Sequence, residues 1–329
     1  MSAAHLGKTD AHALLSYFLW RHPGSRYATQ ARLALGNLML DACEYGEAYT
    51  EYSKIDPATL DSATADELAY NKGYCMLKRG EYDRARSLYG PLTRNKKYGD
   101  GARFYLGYIS YAKKDYAEAI KYLSGLNSSK APADMADYYL AQIYYIQSDY
   151  AKAASKANAV LNRNVAPQFR SEALRIAGES SYQLDDYAKA IKLLRQYAES
   201  TDEPQPSAMY ILGVADYREG DYDDAIARLT PVAALDDAMG QSANLYIGQA
   251  FMQQGNYSSA IIAFDQALNM DFDPQVQETA FYNYAVAGTQ GGKIPFGSSV
   301  TTFEEFIRRY PNSKFAPQIS EYIVSGYMT

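Results

Sequence analysis

The string DYAEAI at residues 115–120 recurs along this chain in six related forms. These forms are EYGEAY, EYDRAR, DYAKAA, DYAKAI, DYDDAI and NYSSAI. When the seven strings are aligned, one column holds only tyrosine: Tyr45, Tyr82, Tyr116, Tyr150, Tyr187, Tyr222 and Tyr257. Successive tyrosines lie 34 to 37 residues apart, a period typical of arrays in which each repeat is a pair of helices.

Two further columns of the alignment recur with the same period as the tyrosines. Alanine follows three residues later: Ala48, Ala85, Ala119, Ala153, Ala190, Ala225 and Ala260. Nine residues before each tyrosine stands a small residue: Gly36, Gly73, Gly107, Ala141, Gly178, Gly213 or Gly248. Because glycine inside a helix costs about 1 kcal/mol relative to alanine, its return requires a close packing contact. We expect the glycine on one helix to touch the alanine column on the other, and the tyrosine to fill the seam toward the next unit.

Each unit is predicted to form two α-helices. Apolar residues recur at helical spacing from Leu106 to Lys113, and a second periodic stretch follows Tyr116. An acidic residue precedes the tyrosine in six units, where a cap or the dipole of a helix N-terminus favours negative charge: Glu44, Glu81, Asp115, Asp149, Asp186 and Asp221. The pattern therefore predicts an all-α chain.

These columns resemble the tetratricopeptide repeat family. The seventh unit matches the family pattern best, through Ile247, Gly248, Phe251, Gly255, Tyr257, Ala260, Phe264 and Ala267. The tryptophan that the family carries in the first helix is absent from every unit. The resemblance implies one domain over residues 1–329, a right-handed superhelical solenoid of helix-turn-helix repeats. The predicted repeats are a half repeat at 10–23, full repeats at 29–62, 66–99, 100–133, 134–167, 171–204, 206–239, 241–274 and 278–311 (the last with a loop insertion), and a half repeat at 315–329.

The composition argues against several classes of protein. The net charge of −6 and the pI of about 5.2 argue against a nucleic-acid binder, which needs a basic face. Cys43 and Cys75 are too few for a disulfide framework. No run approaches the roughly 20 apolar residues of a membrane-spanning helix, so we expect no membrane insertion by this chain. The N-terminus does not read as a signal peptide, which leaves either a cytoplasmic protein or a mature piece of an exported one.

The two ends of the chain share one sequence frame. FLWRHPGSRYA at residues 18–28 and FIRRYPNSKFA at residues 306–316 each end one helix with proline and cap the next with serine. The chain thus reads as starting and stopping in mid-repeat, which favours a piece of a longer array over natural half-repeat caps. The link is similar to one in bacterial envelope repeat proteins, such as the lipoprotein of the outer-membrane β-barrel assembly machinery and periplasmic division-coordination proteins. This similarity favours an exported bacterial parent in the periplasm or at the outer membrane.

Residues able to carry catalysis or to bind metal are sparse. His5, His12 and His22 are the only histidines, and none has a spaced partner that resembles a metal set. Residues 291–293, Gly-Gly-Lys, lack the earlier glycine of a phosphate-binding loop. Acidic pairs such as residues 185–186 fall in turns, where aspartate caps helices and stays solvated. We therefore predict no enzymatic activity, no metal and no cofactor.

The family resemblance also implies a binding surface. In proteins of that family, the first helices of the repeats line a concave groove, through positions two, five, nine, twelve and thirteen of each repeat. The partner-contacting residues predicted on these positions are Tyr70, Tyr74, Phe104, Tyr108, Tyr111, Tyr138, Tyr145, Arg175, Tyr182, Tyr210 and Tyr217. Tyrosine suits peptide recognition because its large rigid ring carries a hydrogen-bonding hydroxyl. Tyr74 and Tyr108, at position nine, carry most of this signal, since tyrosine is common at positions five and twelve of the family. The family's carboxylate clamp is not predicted, because no repeat has lysine at position five.

The functional prediction is a non-catalytic scaffold that binds a peptide or protein partner in a tyrosine-rich groove. Two alternatives stay open. The mid-repeat ends suggest the sensor or docking arm of a larger enzyme or signalling protein. They also suggest a self-assembling array in which the ends of separate copies stack.

Overall fold

The structure, a computed structural model, describes residues 8–126, 132, 135–291 and 296–328. Within these residues it contains eighteen α-helices, with short 3-10 segments at Pro57–Thr59 and Gly90–Arg94, and no strand. The predicted all-α class is therefore confirmed. His5 and residues 292–295, in the long loop predicted for the eighth repeat, lie outside the described residues.

The chain divides into two compact units, residues 1–149 and residues 150–329. The helices of unit 1 are α1 Lys8–Arg21, α2 Ala28–Asp41, α3 Tyr45–Ser53, α4 Ser62–Lys78, α5 Tyr82–Tyr89, α6 Gly99–Ala112, α7 Tyr116–Leu123 and α8 Ala136–Ile146. The helices of unit 2 are α9 Tyr150–Leu161, α10 Pro167–Gln183, α11 Tyr187–Glu199, α12 Pro206–Glu219, α13 Tyr222–Ala233, α14 Ala238–Gln253, α15 Tyr257–Asn269, α16 Pro274–Gln290, α17 Phe296–Arg309 and α18 Ala316–Met328.

Within each unit, consecutive helices pack on one another as a solenoid of hairpins. We call the first helix of a hairpin its A helix and the second its B helix. The A helices are α2, α4, α6 and α8 in unit 1, and α10, α12, α14, α16 and α18 in unit 2. Several neighbouring A helices also touch each other directly, as α2 touches α4 in unit 1 and α12 touches α14 in unit 2, so neighbouring A helices share a face.

The column tyrosine is the first residue of every B helix from α3 to α15. The residue before it caps the helix with its side chain at Asp115, Asp186 and Asn256, but not at Asp221. Asp115 accepts a hydrogen bond from the Glu118 amide at 3.1 Å, and Asp186 accepts one from the Lys189 amide at 3.3 Å. Glu81 makes no such bond, so it acts at this helix end through its charge.

The close contact made by the glycine column differs from the expected one. A β carbon built on each glycine would lie closest, at 2.5–2.9 Å, to a large side chain of the paired B helix. The pairs are Gly36 with Tyr52, Gly73 with Tyr89, Gly107 with Leu123, Gly178 with Leu194, Gly213 with Leu229 and Gly248 with Phe264. The closest approach thus lies one helical turn beyond the expected alanine, although at Gly213 the carbonyl oxygen of the column residue Ala225 is also near, 3.3 Å from the built β carbon. Residues i and i+4 share a helix face, so the large side chain four residues beyond the alanine reaches the glycine. All seven column alanines are 0% exposed.

The expectation for the tyrosine column is confirmed at two seams. The ring of Tyr45 lies 5.9 Å from that of Tyr74 on the following A helix, and the guanidinium of Arg218 lies 5.9 Å from the ring of Tyr187. Tyr222 instead packs against Tyr217 of its own A helix, at 5.8 Å between ring centroids. A tyrosine at this position therefore contacts A helices on either side.

Candidate partner-binding face

The A-helix face of unit 1 is built around Tyr105 of α6. Its ring lies 5.8 Å from Tyr70 and 5.5 Å from Tyr74, both on α4, and stacks on Tyr89 at 5.0 Å. Tyr70 in turn packs on Tyr98 at 4.8 Å. The two predicted residues Tyr70 and Tyr74 are thus brought together by an aromatic side chain that the sequence interpretation did not include.

The phenols of Tyr70, Tyr89 and Tyr105 are neutral at physiological pH, and burial moves their pKa values further above it. Loss of hydration raises the pKa of Tyr70, Tyr89 and Tyr105, and the neighbouring tyrosines raise the pKa of Tyr105 further. A protonated hydroxyl both donates and accepts a hydrogen bond. The half-buried tyrosines of this face can therefore offer donors to the carbonyl oxygens of a partner.

A cation lies at one end of this cluster. The ammonium of Lys78, an exposed residue, lies 5.4 Å from the ring of Tyr74 and 6.0 Å from the ring of Tyr45. The negative faces of the two rings hold the ammonium by a cation–π interaction. This end of the face combines a positive charge with two aromatic rings.

A second aromatic cluster in unit 1 is built around Tyr139 of α8. Its ring lies 5.4 Å from Tyr108, 5.2 Å from Tyr111 and 5.2 Å from Tyr138. The Tyr111 hydroxyl donates a hydrogen bond to the side-chain oxygen of Gln142. Three more predicted residues are therefore close together, again around a tyrosine absent from the prediction.

Two other predicted residues of unit 1 differ in exposure. Phe104 is buried in the core formed by α6, α7 and α8, where it packs with Leu140 and Ile143, so it offers little surface to a partner. Tyr145 is half-buried near the end of α8.

In unit 2 the A helices carry three of the predicted tyrosines. Tyr182 of α10 lies 5.4 Å from Tyr187, while Tyr210 and Tyr217 of α12 lie 6.3 Å and 5.5 Å from Tyr246 of α14. Burial, together with the neighbouring Tyr246, raises the pKa of Tyr210 to about 12. Tyr210 and Tyr217 are thus linked by Tyr246, as Tyr70 and Tyr74 are by Tyr105.

Arg175, the predicted charged residue of the face, is held within its own helix. It bonds to Glu172 and to Glu179 at 2.7 Å each, and Glu179 also accepts a 2.6 Å hydrogen bond from Ser207 of α12. Glu179 is buried, so this network satisfies a carboxylate that would otherwise be costly inside the unit. The guanidinium of Arg175 therefore forms ion pairs within α10.

The residues missed by the sequence interpretation share one repeat position. Tyr105, Tyr139 and Tyr246 each lie two residues before the glycine column, at Gly107, Ala141 and Gly248. Alignment of the repeats could have found this position. It was missed because the family pattern directs attention to positions two, five, nine, twelve and thirteen.

The described residues contain no group of three or more His, Cys, Asp or Glu side chains placed to hold a metal ion. Among the helices that the structure describes, none is both long enough and apolar enough to cross a membrane.

A model of the tetratricopeptide repeat family matches residues 70–132, 138–208, 177–227 and 210–276, which together exceed half of the chain. Comparison with curated proteins gives no match.

Several solved structures are similar to this chain. YrrB, a tetratricopeptide repeat protein with an unusual peptide-binding site, is 16% identical with a TM-score of 0.47, covering 57% of this chain and 95% of its own. A tetratricopeptide repeat protein from Parabacteroides merdae is 14% identical with a TM-score of 0.42, covering 79% of this chain and 98% of its own. The C-terminal part of such a protein from Cytophaga hutchinsonii is 16% identical with a TM-score of 0.45, covering 76% and 98%.

Proposed function

Because the chain belongs to the tetratricopeptide repeat family, we propose that it is a non-catalytic scaffold that binds a protein or peptide partner. The proposed binding surface is the tyrosine-rich face of the A helices. The observation that carries the proposal is the aromatic continuity of this face in unit 1, where Tyr70 and Tyr74 of α4 pack on Tyr105 of α6.

The chemistry of the face supports a peptide ligand. A tyrosine ring offers a large contact area for the loss of only two side-chain torsions, so ordering it on binding costs little entropy. The rings here are already ordered by one another, as Tyr74 is by Tyr45 and Tyr105. Binding then needs less reorganisation of the surface, which favours affinity.

The polar groups on this face support a partner with acceptor groups. Neutral phenols offer hydroxyl donors, and Lys78 adds a positive charge beside Tyr74. Peptide carbonyl oxygens and acidic side chains match both features. A nucleic acid does not fit the net charge of −6.

The test is a titration of a partner captured with the chain from its native source. Tyr74→Ala combined with Tyr108→Ala should weaken binding by about tenfold or more, since interface tyrosines often contribute more than 1.4 kcal/mol. Tyr27→Ala, which alters a tyrosine that is 50% exposed and directly precedes α2, is the control. Circular dichroism checks that each variant folds. Unchanged affinity of the double variant would remove the claim for this face.

A second function, self-association, is supported by the exposed side of α1. Leu14, Tyr17 and Trp20 are 51%, 61% and 72% exposed there. In the frame shared by the two ends, Phe18 corresponds to Phe306, which is completely buried and packs on Phe281 of α16. Phe18 itself is only half-buried. The proposed occupant of this side is a helix from a second copy of the chain.

Sedimentation velocity over a range of concentrations tests this second function. Tyr17→Lys with Trp20→Lys should lower the association constant by about tenfold, because each ring loses apolar contact area. Ile262→Lys, at an exposed apolar residue of α15, is the control. A strict monomer at every concentration dismisses self-association.

A further inference from the structure

Unit 2 contains a small cavity between α10, α11 and α12. Its volume is about 160 Å³. The apolar part of its lining comes from Ile191 of α11 and from Ile211, Val214 and Ala215 of α12. Tyr182, one of the predicted partner contacts, forms part of the wall. The cavity therefore lies beside a predicted contact residue of the A helices of unit 2.

The size and lining of the cavity suit a single side chain. An apolar cavity of about 150 Å³ is large enough to admit benzene. Ile211 and Val214 are almost completely buried, so the floor is held firmly by the core of the unit. An aliphatic side chain that entered the cavity would contact apolar atoms without displacing the core.

The rim of the cavity carries an arginine. Arg218 is exposed, and its guanidinium lies 5.9 Å from the ring of Tyr187, which lines the cavity as well. No carboxylate among the described residues lies within salt-bridge distance of Arg218. The positive charge is therefore open to a ligand.

The carboxylates near this rim already have partners. Glu219 accepts a hydrogen bond from Arg195 at 2.9 Å. Asp185 accepts one from the Tyr187 hydroxyl at 2.7 Å. Glu219 itself lines the cavity, and the Arg195 guanidinium offsets its charge, while the Tyr187 hydroxyl occupies one oxygen of Asp185. The Arg218 guanidinium can therefore pair with a ligand carboxylate.

We propose that this cavity is a subsite for one aliphatic side chain of a peptide segment that carries a carboxylate on the adjacent residue. The side chain occupies the space over Ile191 and Ile211, and the carboxylate pairs with Arg218. The inference rests on the proposed scaffold function, since it names the ligand chemistry of one part of the same face.

The probes are three capped dipeptides: acetyl-leucyl-aspartyl amide, acetyl-leucyl-asparaginyl amide and acetyl-glycyl-aspartyl amide. Each is titrated into the full chain labelled at isoleucine and valine methyl groups, and binding is followed by carbon–proton NMR. The leucyl-aspartyl probe should shift the methyl signals of Ile191, Ile211 and Val214 saturably. It should bind about threefold tighter than the asparaginyl probe and about tenfold tighter than the glycyl probe.

Two variants separate the parts of the subsite. Arg218→Gln should abolish the preference for the aspartyl over the asparaginyl probe and leave binding of the latter unchanged. Ala215→Leu should fill the cavity and abolish the methyl shifts, while Ala227→Leu, on the exposed side of α13, should not. If Ala215→Leu does not fold, two measurements still test the subsite. They are the probe preference of Arg218→Gln and the methyl shifts of the unmodified chain.

Several outcomes would overturn the subsite. Absence of saturable shifts at the three methyl-bearing residues removes it, and so do equal shifts from the glycyl probe. An aspartyl preference that survives Arg218→Gln removes the assigned charge pairing. These results leave the scaffold function standing if substitution of Tyr74 and Tyr108 still weakens binding of the captured partner. If the probe binds in the cavity but the double variant keeps its affinity for the partner, the subsite stands and the proposed binding face at Tyr74 and Tyr108 is refuted.

Discussion

The ring of Tyr89 occupies the space that a side chain on Gly73 would need. A β carbon built on Gly73 would lie 2.9 Å from Tyr89 Cζ, and Tyr89 is itself completely buried. The hairpin of α4 and α5 is thus closed by a glycine on one helix and a large ring on the other. The same relationship returns at five more hairpins, with leucine or phenylalanine replacing tyrosine in four of them.

Gly73→Ala should destabilise the chain by about 1 kcal/mol. Alanine gains about 1 kcal/mol of helix propensity, but overpacking against a ring that cannot move costs about 1–3 kcal/mol. Gly46→Ala is the control, because a β carbon there meets nothing within 4 Å. The measurement is the urea unfolding midpoint of each variant. A gain in stability for Gly73→Ala equal to that for Gly46→Ala would contradict the packing account.

Tyr89→Phe should stabilise the chain by about 1 kcal/mol. The Tyr89 hydroxyl is buried and has no hydrogen-bond partner among the described residues, so its removal relieves a desolvation cost. Tyr52 occupies the same repeat position but donates a 2.6 Å hydrogen bond to Asn37. Tyr52→Phe should therefore cost about 1 kcal/mol. Thermal unfolding of the two variants distinguishes these opposite signs, and equal effects would refute the argument.

Asp216→Asn should destabilise the chain by about 2 kcal/mol. The buried Asp216 carboxylate accepts hydrogen bonds from Arg228 at 2.7 Å and from Arg195 at 3.2 Å. Removing its charge leaves two guanidinium groups facing a neutral amide, although both arginines are partly exposed and regain some hydration. Asp224→Asn, at an exposed residue of α13, should change stability by less than about 0.5 kcal/mol. Urea denaturation gives both values, and equal effects at the two positions would dismiss the role of the buried carboxylate.

Stability should fall as pH rises above 10, in part through Tyr210. Burial raises the pKa of Tyr210 to about 12 from an ordinary value near 10. The folded chain then holds this proton where the unfolded chain has lost it, so the stabilising contribution is present below pH 10 and is lost between about pH 10 and 12. Tyr210→Phe should reduce the alkaline loss by about 1–2 kcal/mol.

The measurement for Tyr210 is urea denaturation at pH 8 and at pH 11. Tyr17→Phe, which alters a tyrosine that is 61% exposed, is the control. Its free energy of unfolding should fall between pH 8 and pH 11 by as much as that of the unmodified chain. An alkaline loss in Tyr210→Phe as large as in the unmodified chain would count against the assignment.

Much of the architecture could be read from the order of residues. The period of 34 to 37 residues, the tyrosine at the start of each B helix and the buried alanine three residues later are local patterns. Helical spacing places Tyr116 and Ala119 on one face of α7 whatever the rest of the chain does, because the backbone geometry of a helix is set over a few residues. These local patterns were enough to predict the helix pairs and their order along the chain.

The contacts between helices depended on the packed structure. Sequence order placed glycine opposite alanine, whereas packing places Gly107 against Leu123, one turn further along. Tyr105 and Tyr139 became the centres of the aromatic clusters, and Phe104, predicted on the surface, entered the core. Each of these results depends on the axial register and rotation of one helix against another. A repeat period leaves both free, and close packing of side chains then sets them.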